Sequence, residues 1–419
     1  MVRRKKLAFA VLAACLGIGT AGCGLPGQDT GAVSTEKITA FVEGLASSGE
    51  ESAASDTDET AAEDVPNEAV TEEGGWESEE SAATAQTDRY AYQTLNDTEK
   101  VVYDEIVAAF ENREEEVPIS TLDEQELENA YLAVRCDHCE FFWVEEFGYV
   151  TYTRGDTVTS IDIKPVYAMS AEEQEELQSR IDAEADRMLA DVPVDGSDFD
   201  KALYVYKTLI DEVDYDVNAA DSQTIVSAFI DHATVCQGYS YATQYLLDRL
   251  DIPCATVTGT ADGESHAWNL VFMDGAYYYI DTTWGNSRYI NRNDAEAEEI
   301  IPYKYVDYDY FGMTTDMLLK THQPVETVPL PTCEAVADNY YIHEGLYIET
   351  WDPDRIGEIF RQGYESGSGL VRIRFADDAL YEQASQYFLD DGALFDYCDG
   401  LTQVRYLNDT GNDVIVVVF

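Results

Sequence analysis

Apolar residues recur three or four positions apart in several segments after residue 88, and this spacing predicts amphipathic helices. Two of these helices are predicted to begin at capping pairs, Asn96 with Glu99 and Ser170 with Glu173. In such a pair the first side chain accepts from the free amides of the first turn, and the glutamate returns a bond. The positions of the first helix that we expect to face the core are Val101, Ile106 and Phe110.

Strands are predicted where apolar and polar residues alternate or where β-branched residues cluster. The segment CEFFWVEEFGYVTYTRGDTVTSIDIKPVY (139–167) has this pattern. Near the C-terminus, LVRIRF and DVIVVVF read as strands, with a helix between them over 377–391 and another beginning at Pro353. The mixture of separate helices and strands indicates an α+β chain.

A β-hairpin is predicted within SHAWNLVFMDGAYYYIDTTWG, where residues alternate on both sides of the Asp-Gly turn at 274–275. This two-residue turn pairs Met273 with Ala276. His266 and Asp281 then become diagonal neighbours on one face, with Cβ atoms about 7–8 Å apart or somewhat less. An imidazole and a carboxylate can meet at that separation.

Cys236 is the candidate nucleophile, because the apolar spacing that follows it predicts a helix closed by Pro253. The partial positive charge of a helix N-terminus favours thiolate over thiol, and a nearby imidazolium favours it further. Cys236, His266 and Asp281 thus supply a nucleophile, a base and a carboxylate that fixes the imidazole. We expect backbone N–H groups at the helix start, Cys236's own among them, to stabilise an oxyanion.

The motifs CQGY, HAWN and DTTW carry these three residues in this order. They resemble the Cys-x-Gly-Tyr, His-Ala-Trp-Asn and Asp-x-Thr-Trp pattern of the transglutaminase-like superfamily, and the resemblance is strongest over about 195–325. It implies an α+β core related to the papain-like thiol proteases and an acyl-enzyme reaction on amides that needs no cofactor. It leaves the acyl acceptor open, because the superfamily includes crosslinking enzymes, peptidases, amidases and inactive members.

We therefore expect a thiol enzyme that acts on a peptide or protein, including one associated with a cell wall, with hydrolysis favoured over transfer to an amine. Two alternatives stay open, a crosslinking enzyme and, from another class, an inactive module for adhesion or assembly. Trp268, Trp284 and Tyr239 are candidates for lining the substrate site, although the two tryptophans could simply pack around it.

Three other residues, His232, Cys136 and Cys139, are weaker candidates for a catalytic or metal-binding role. His232, four residues before Cys236, is a rival base, but its position in a loop favours a solvated side chain. Cys136 and Cys139 in CDHC invite a zinc reading, yet a structural site needs four ligands and no second Cys/His pair follows at finger spacing. A local disulfide or two free thiols fit an exported protein better. We expect neither a metal nor a cofactor.

The N-terminus has the features of an export signal: basic residues 3–6, an apolar run over 7–19, and small residues before Cys23. Ala21-Gly22-Cys23 resembles a bacterial lipoprotein processing site, in which Cys23 receives the lipid. A plain signal peptide or an uncleaved anchor is the alternative. We expect the folded part to lie outside the cell, anchored to the membrane by lipid.

Charge changes this picture in two ways. The chain has 83 acidic and 25 basic residues, a formal net charge of −58. Lys37 is the only base in 28–88, a segment rich in Glu, Asp, Ser and Ala that cannot bury enough apolar surface to offset its ordering entropy. We expect this segment to be an extended tether. The remainder is also acidic, which disfavours nucleic acid as a partner, because binding it requires Lys and Arg clusters.

The sequence thus predicts five regions. They are a signal peptide (1–22), an acidic tether (23–88), a small N-terminal α/β domain (89–168), a transglutaminase-like core (169–328) and a small C-terminal α/β domain (329–419).

We expect the mature protein to begin at a lipidated Cys23 and to partition into detergent. Proteolysis within 28–88 should then release a soluble fragment that keeps any activity. Mass spectrometry of the N-terminal peptide tests the anchor, and an unmodified N-terminus at another residue would contradict it.

Overall fold

The computed structural model describes residues 5–8, 89–286, 306–325, 327–409 and 411–419, all of which belong to one compact unit. The predicted lipidation site Cys23 and the acidic segment 28–88 lie outside the described residues. The architecture is α+β, as the sequence predicts. Three hydrophobic clusters fall largely within the three regions predicted after residue 88, while the exact boundaries stay a prediction.

The N-terminal region packs helices against a four-stranded antiparallel sheet of order β1-β3-β4-β2. Its elements are β1 (Lys5–Ala8), α1 (Tyr90–Thr94), α2 (Asp97–Glu111), β2 (Val117–Pro118), α3 (Glu124–Asp137), β3 (Val144–Arg154) and β4 (Thr157–Tyr167). Strand β1 falls in the segment that the sequence predicts to be a signal peptide.

Helix α2 begins with the predicted capping box, since the Asn96 side chain accepts from the amide of Glu99 and the Glu99 side chain accepts from that of Asn96. Ile106 and Phe110 are buried, as expected. The expectation for Val101 was wrong: this residue is 46% exposed. The buried stripe passes through the next position, Val102, instead.

The central region is built on a five-stranded antiparallel sheet of order β10-β9-β8-β7-β11. Its helices are α4 (Ala171–Met188), α5 (Asp198–Glu212), α6 (Cys236–Asp248), α7 (Thr282–Gly285) and α8 (Thr315–Leu318). Its strands are β5 (Asp214–Tyr215), β6 (Ala233–Thr234), β7 (Cys254–Ala261), β8 (Glu264–Met273), β9 (Ala276–Ile280), β10 (Phe311–Met313) and β11 (His322–Pro324).

The β8–β9 hairpin has the predicted register, with Met273 opposite Ala276. Asp274 and Gly275 both have positive φ, 45° and 93°, which is the backbone that a tight two-residue hairpin turn requires. This register carries through to Asn269 opposite Ile280, directly before Asp281.

Helix α6 is fixed to its surroundings by buried amide side chains. Asn269 of β8 donates through Nδ2 to the carbonyl of Ser240, at 2.9 Å. Gln244 accepts a hydrogen bond from the hydroxyl of Thr256 on β7 and donates to the carbonyls of Cys136 and Asp137 at the end of α3. The helix that begins at Cys236 is therefore tied both to the central sheet and to the N-terminal region.

The C-terminal region has a four-stranded mixed sheet of order β12-β13-β15-β14. Its helices are α9 (Tyr340–His343), α10 (Pro353–Ser366), α11 (Asp378–Ala384) and α12 (Leu394–Tyr397). Its strands are β12 (Tyr347–Ile348), β13 (Leu370–Phe375), β14 (Arg405–Asp409) and β15 (Val414–Val418). The predicted strands and the helix at Pro353 are confirmed, whereas the helix expected over 377–391 continues after Ala384 as a π-helical segment.

Ion pairs join the regions; those of Arg372 are buried, whereas that of Arg89 is partly exposed. Arg372 of β13 contacts Asp307, with Nη1 2.7 Å from Oδ1, and Asp309, with Nη2 3.2 Å from Oδ2. Arg89 contacts Asp248 at the end of α6. None of the described helices is both long enough and apolar enough to cross a bilayer.

Gly238, the glycine of CQGY, is required by a close approach in the first turn of α6. A Cβ at this position would lie 1.9 Å from Oγ1 of Thr234 and 3.0 Å from the carbonyl oxygen of Ser222. Because the second contact is backbone, rotation of the threonine cannot relieve the whole clash. This glycine therefore allows α6 to start beside β6.

We expect Gly238→Ala to lower the free energy of unfolding by about 1–3 kcal/mol through overpacking. The loss should be smaller in a Thr234→Ala background, which removes the nearest clashing atom. Urea denaturation of wild type, both single variants and the double variant measures this coupling. An equal cost of Gly238→Ala in both backgrounds would contradict the packing explanation.

Candidate functional site

Asp281 lies between β9 and α7 and is completely buried. Its Oδ1 caps the short helix α7 by accepting from the amide of Trp284, at 3.0 Å. Its Oδ2 faces two imidazoles, with Nε2 of His266 at 2.7 Å and Nε2 of His322 at 3.0 Å. Three N–H donors thus surround one carboxylate.

His266 is on β8 and its ring is 5% exposed. Its Nε2 is used by Asp281, so Nδ1 is the nitrogen left for other partners. Burial opposes charging of the ring, but the carboxylate of Asp281 and the hydrogen-bonded side chain of Cys236 raise the pKa of His266 to about 10. Burial likewise opposes ionisation of Asp281, yet His266 and His322 hold the pKa of its carboxyl below the ordinary value. The arrangement favours an imidazolium paired with a carboxylate.

Cys236 is the first residue of α6 and is half-buried, whereas the other five cysteines of the described residues are buried. The residue before it is Val235, whose side chain cannot cap the helix. The first-turn amides of a helix have no partner within the helix, and their dipoles favour negative charge. A thiolate or an oxyanion at this position would be stabilised by them.

The structure brings Cys236, His266 and Asp281 together at one place, from the start of a helix and from the two strands of one hairpin. Chemically, the arrangement offers a nucleophile, a proton carrier and a carboxylate that fixes the ring so that Nδ1 points toward sulfur.

The three aromatic candidates have different positions. Trp268 and Trp284 flank His266, each with its ring centroid 6.0 Å from the imidazole, and both are largely buried. They pack around the site. Tyr239 is fully buried, and its hydroxyl donates to the carbonyl of Val213, at 2.6 Å. The expectation that Tyr239 lines a substrate site is therefore wrong, because its ring belongs to the core.

His232, Cys136 and Cys139, the weaker candidates from the sequence, have contacts other than those of the Cys236 site. His232 has its ring 40% exposed and lies 3.5 Å from a carboxylate oxygen of Glu184. Cys136 and Cys139 are buried free thiols, which agrees with one of the two expectations for CDHC. All six cysteines of the described residues are free.

His322 is the functional candidate that sequence analysis missed. It is the first residue of β11, at the edge of the sheet, and is completely buried. The chain has only five histidines, so each could have been considered. Nothing local, however, indicates that a histidine 41 positions after Asp281 reaches the same carboxylate.

A small cavity of about 40 Å³ lies between the central region and α3. Gln237 and Thr258 line one side of it, and the α3 residues Leu132 and Arg135 line another. The N-terminal region thus forms one wall of this cavity, which is lined by Gln237, the residue after Cys236, but not by Cys236 itself.

The donor atoms of His266, Asp281 and His322 lie within 4.8 Å of one another, so they could hold a metal ion. Imidazole nitrogen and carboxylate oxygen are suitable ligands for zinc and several other divalent ions. Hydrogen bonds already occupy these atoms, however, and a metal would have to displace both imidazole N–H donors to Oδ2 of Asp281.

Comparison with known proteins supports the resemblance seen in the motifs. The family described as the transglutaminase-like superfamily matches residues 188–282. The kyphoscoliosis peptidase of Mus musculus is 27% identical over 107 residues, which are 22% of this chain and 16% of the relative. The Homo sapiens protein of the same name is 25% identical over the same length and coverage. The match thus spans about one sixth of these curated relatives.

Parts of the chain are also similar to parts of solved structures. One described as a TGase covers 33% of this chain and 44% of its own, with 16% identity and a TM-score of 0.25. A protein from Cytophaga hutchinsonii described as a cysteine protease covers 33% and 62%, with 16% identity and a TM-score of 0.23. One from Parabacteroides distasonis described as a protease covers 32% and 35%, with 10% identity and a TM-score of 0.19.

The ion pair between His266 and Asp281 should make stability depend on pH. Because the pKa of His266 is raised to about 10 in the folded protein, the pair's contribution is fully present below the unfolded pKa, near 6.5. It is lost as the pH rises through the folded value. Asp281→Asn should therefore lower the free energy of unfolding more at pH 6 than at pH 10.5. Urea denaturation at both values measures the difference.

Gly238→Ala is the matched control, since a packing defect has no reason to follow the titration of an imidazole. A loss in Asp281→Asn that is the same at pH 6 and pH 10.5 would contradict the ion pair.

Proposed function

Residues 188–282 form a domain of the transglutaminase-like superfamily, and on that premise we propose that this protein is a thiol enzyme that hydrolyses peptide or protein amides through an acyl-enzyme. One observation carries the proposal. His266 is hydrogen-bonded to buried Asp281 on one side and to Cys236 on the other, and Cys236 begins α6.

The reaction follows from this geometry. The Cys236 thiolate attacks the amide carbonyl, and the first-turn amides of α6 stabilise the oxyanion. The imidazolium of His266 gives its Nδ1 proton to the leaving amine as the C–N bond breaks, which leaves a thioester on Cys236. Water then attacks the thioester while His266 accepts its proton, and collapse of the tetrahedral intermediate releases the acid and restores the thiolate–imidazolium pair. Asp281 keeps the ring oriented throughout.

Water is the proposed acyl acceptor. Transfer to a lysine requires a site that excludes water and holds a deprotonated amine close to the thioester. The chain's large negative charge favours the protonated ammonium, which is not a nucleophile. Crosslinking to amines is the alternative outcome of the test below.

We propose a peptide or protein as the substrate, because the curated relatives that match the central region are described as peptidases. The proposed place of action is outside the cell, at the membrane surface, with the acidic segment 28–88 as the tether from a lipidated Cys23. Substrates of this enzyme would then be peptides or proteins within reach of the tether, including those associated with a cell wall.

An inactive adhesion or assembly module is the candidate from another class. The buried site argues against it. Holding a carboxylate out of water is costly unless it is paired and hydrogen-bonded, and Asp281 has three donors. A module that only binds has no need of this arrangement beside a half-buried thiol.

The test combines thiol labelling with turnover. A thiol-directed electrophile should label Cys236 selectively at neutral pH, and incubation with a glutamine-containing peptide library should give cleavage or deamidation through a thioester seen by intact mass. Cys236→Ala should abolish both, because no other described thiol lies beside His266. Cys398→Ala, which removes a buried thiol of the C-terminal region, is the control and should leave both unchanged.

A labelled primary amine in the same incubation decides the acceptor. Hydrolysis should exceed incorporation of the label. Incorporation that outpaces hydrolysis would overturn the choice of water, and retained turnover in Cys236→Ala would overturn the nucleophile.

A further inference from the structure

The Asp281 carboxylate has an imidazole partner that does not belong to the three motifs. Nε2 of His322 lies 3.0 Å from Oδ2, the same oxygen that accepts from His266. An ionised carboxylate has no proton to donate, so Nε2 of His322 must donate its own. His322 is completely buried, and water cannot take over this role.

The other nitrogen of His322 also has a defined partner. Nδ1 lies 2.7 Å from the hydroxyl of Thr321. A hydroxyl can donate to Nδ1, and the single proton of a neutral imidazole is then kept on Nε2, where Asp281 requires it. One short segment thus supplies both the donor and the group that fixes its tautomer.

The surroundings hold this ring in one orientation. Trp268 and Trp284 each have a ring centroid 4.9 Å from that of His322, and Tyr310 lies at 6.2 Å. His322 forms its ion-pair contact with Asp281, and the ring of His266 has its centroid 5.5 Å from that of His322. A ring so enclosed can act on the reaction only through Asp281.

The strand that carries His322 reaches this position because of Gly259. Strand β11 pairs with β7, with His322 opposite Ala261 and Pro324 opposite Gly259. A Cβ at Gly259 would lie 2.2 Å from the carbonyl oxygen of Gln323 and 2.8 Å from the ring of Trp268. The absent side chain lets the edge strand close over the site.

We propose that His322 is a positioning residue of the reaction: with Thr321 behind it, it holds the Asp281 carboxylate ionised and correctly oriented, so that Asp281 in turn orients His266 toward Cys236. The proposal rests on the proposed function, since it assigns a role within that chemistry. It extends the chain of contacts to five side chains: Thr321, His322, Asp281, His266 and Cys236.

Two isosteric substitutions separate the hydrogen bond from packing. His322→Gln places an amide N–H near the position of Nε2, whereas His322→Met fills similar space without a donor. Loss of a hydrogen bond to a charged group typically changes an equilibrium or rate constant by about tenfold or more. The rate at which iodoacetamide alkylates Cys236 at pH 7 should therefore fall about tenfold in His322→Met. His322→Gln should keep most of the wild-type rate.

The pH profile of the same alkylation provides a readout that a structural role would not move. Loss of a donor makes the Asp281 carboxylate easier to protonate, so the acidic limb should shift to higher pH in His322→Met and stay near the wild-type position in His322→Gln. Thr321→Val should shift it in the same direction but less, and Thr321→Ser, which keeps the hydroxyl, should not. All measurements contain EDTA, so that metal binding cannot cause the difference.

The outcomes are distinguishable. If the wild-type thiol of Cys236 is not selectively reactive, the proposed function fails. If it is reactive and His322→Met matches wild type in rate and profile, the positioning role fails. Equal losses in the methionine and glutamine variants would also overturn it, since they would show that packing, not the hydrogen bond, matters. Should His322→Met fail to fold, the Thr321 pair decides the question in the same way.

Discussion

The Asp281 carboxylate is the group on which the site depends. It is completely buried, and a buried charge is tolerated only with donors around it. Those donors come from a helix start at Trp284, from the hairpin at His266 and from an edge strand at His322. Satisfying one charge therefore fixes the relative positions of three segments, and the imidazole that faces Cys236 is oriented as a consequence.

Each of those segments is held by features outside the site. The tight turn at 274–275 sets the hairpin register, and Gly259 lets β11 approach β7. Gly238 lets α6 begin beside β6, and Asn269 ties that helix to β8. The glycine and asparagine of the motifs thus have structural explanations, since they place the start of α6, and hence the thiol, against the hairpin.

Local sequence signals predicted the local structure well. Capping pairs, the Asp-Gly turn and alternating residues depend on neighbours along the chain, and the helix starts and the hairpin agree with them. His266 and Asp281 could be placed together because a hairpin register is itself local. The prediction that Val101 is buried was wrong, because helical spacing does not say which edge of the apolar stripe meets the core. His322 was missed because the pairing of β11 with β7 joins segments that are far apart in the sequence.

The central claim is that Asp281 accepts from two imidazoles at once, and nuclear magnetic resonance of ¹⁵N-labelled histidine tests it most directly. At neutral pH, His266 and His322 should each show a slowly exchanging Nε2–H proton shifted downfield by a hydrogen bond to the carboxylate. Both signals should lose that shift in Asp281→Ala, with assignments made through His322→Gln. A His322 signal that is absent in wild type, or unchanged when the carboxylate is removed, would contradict the account.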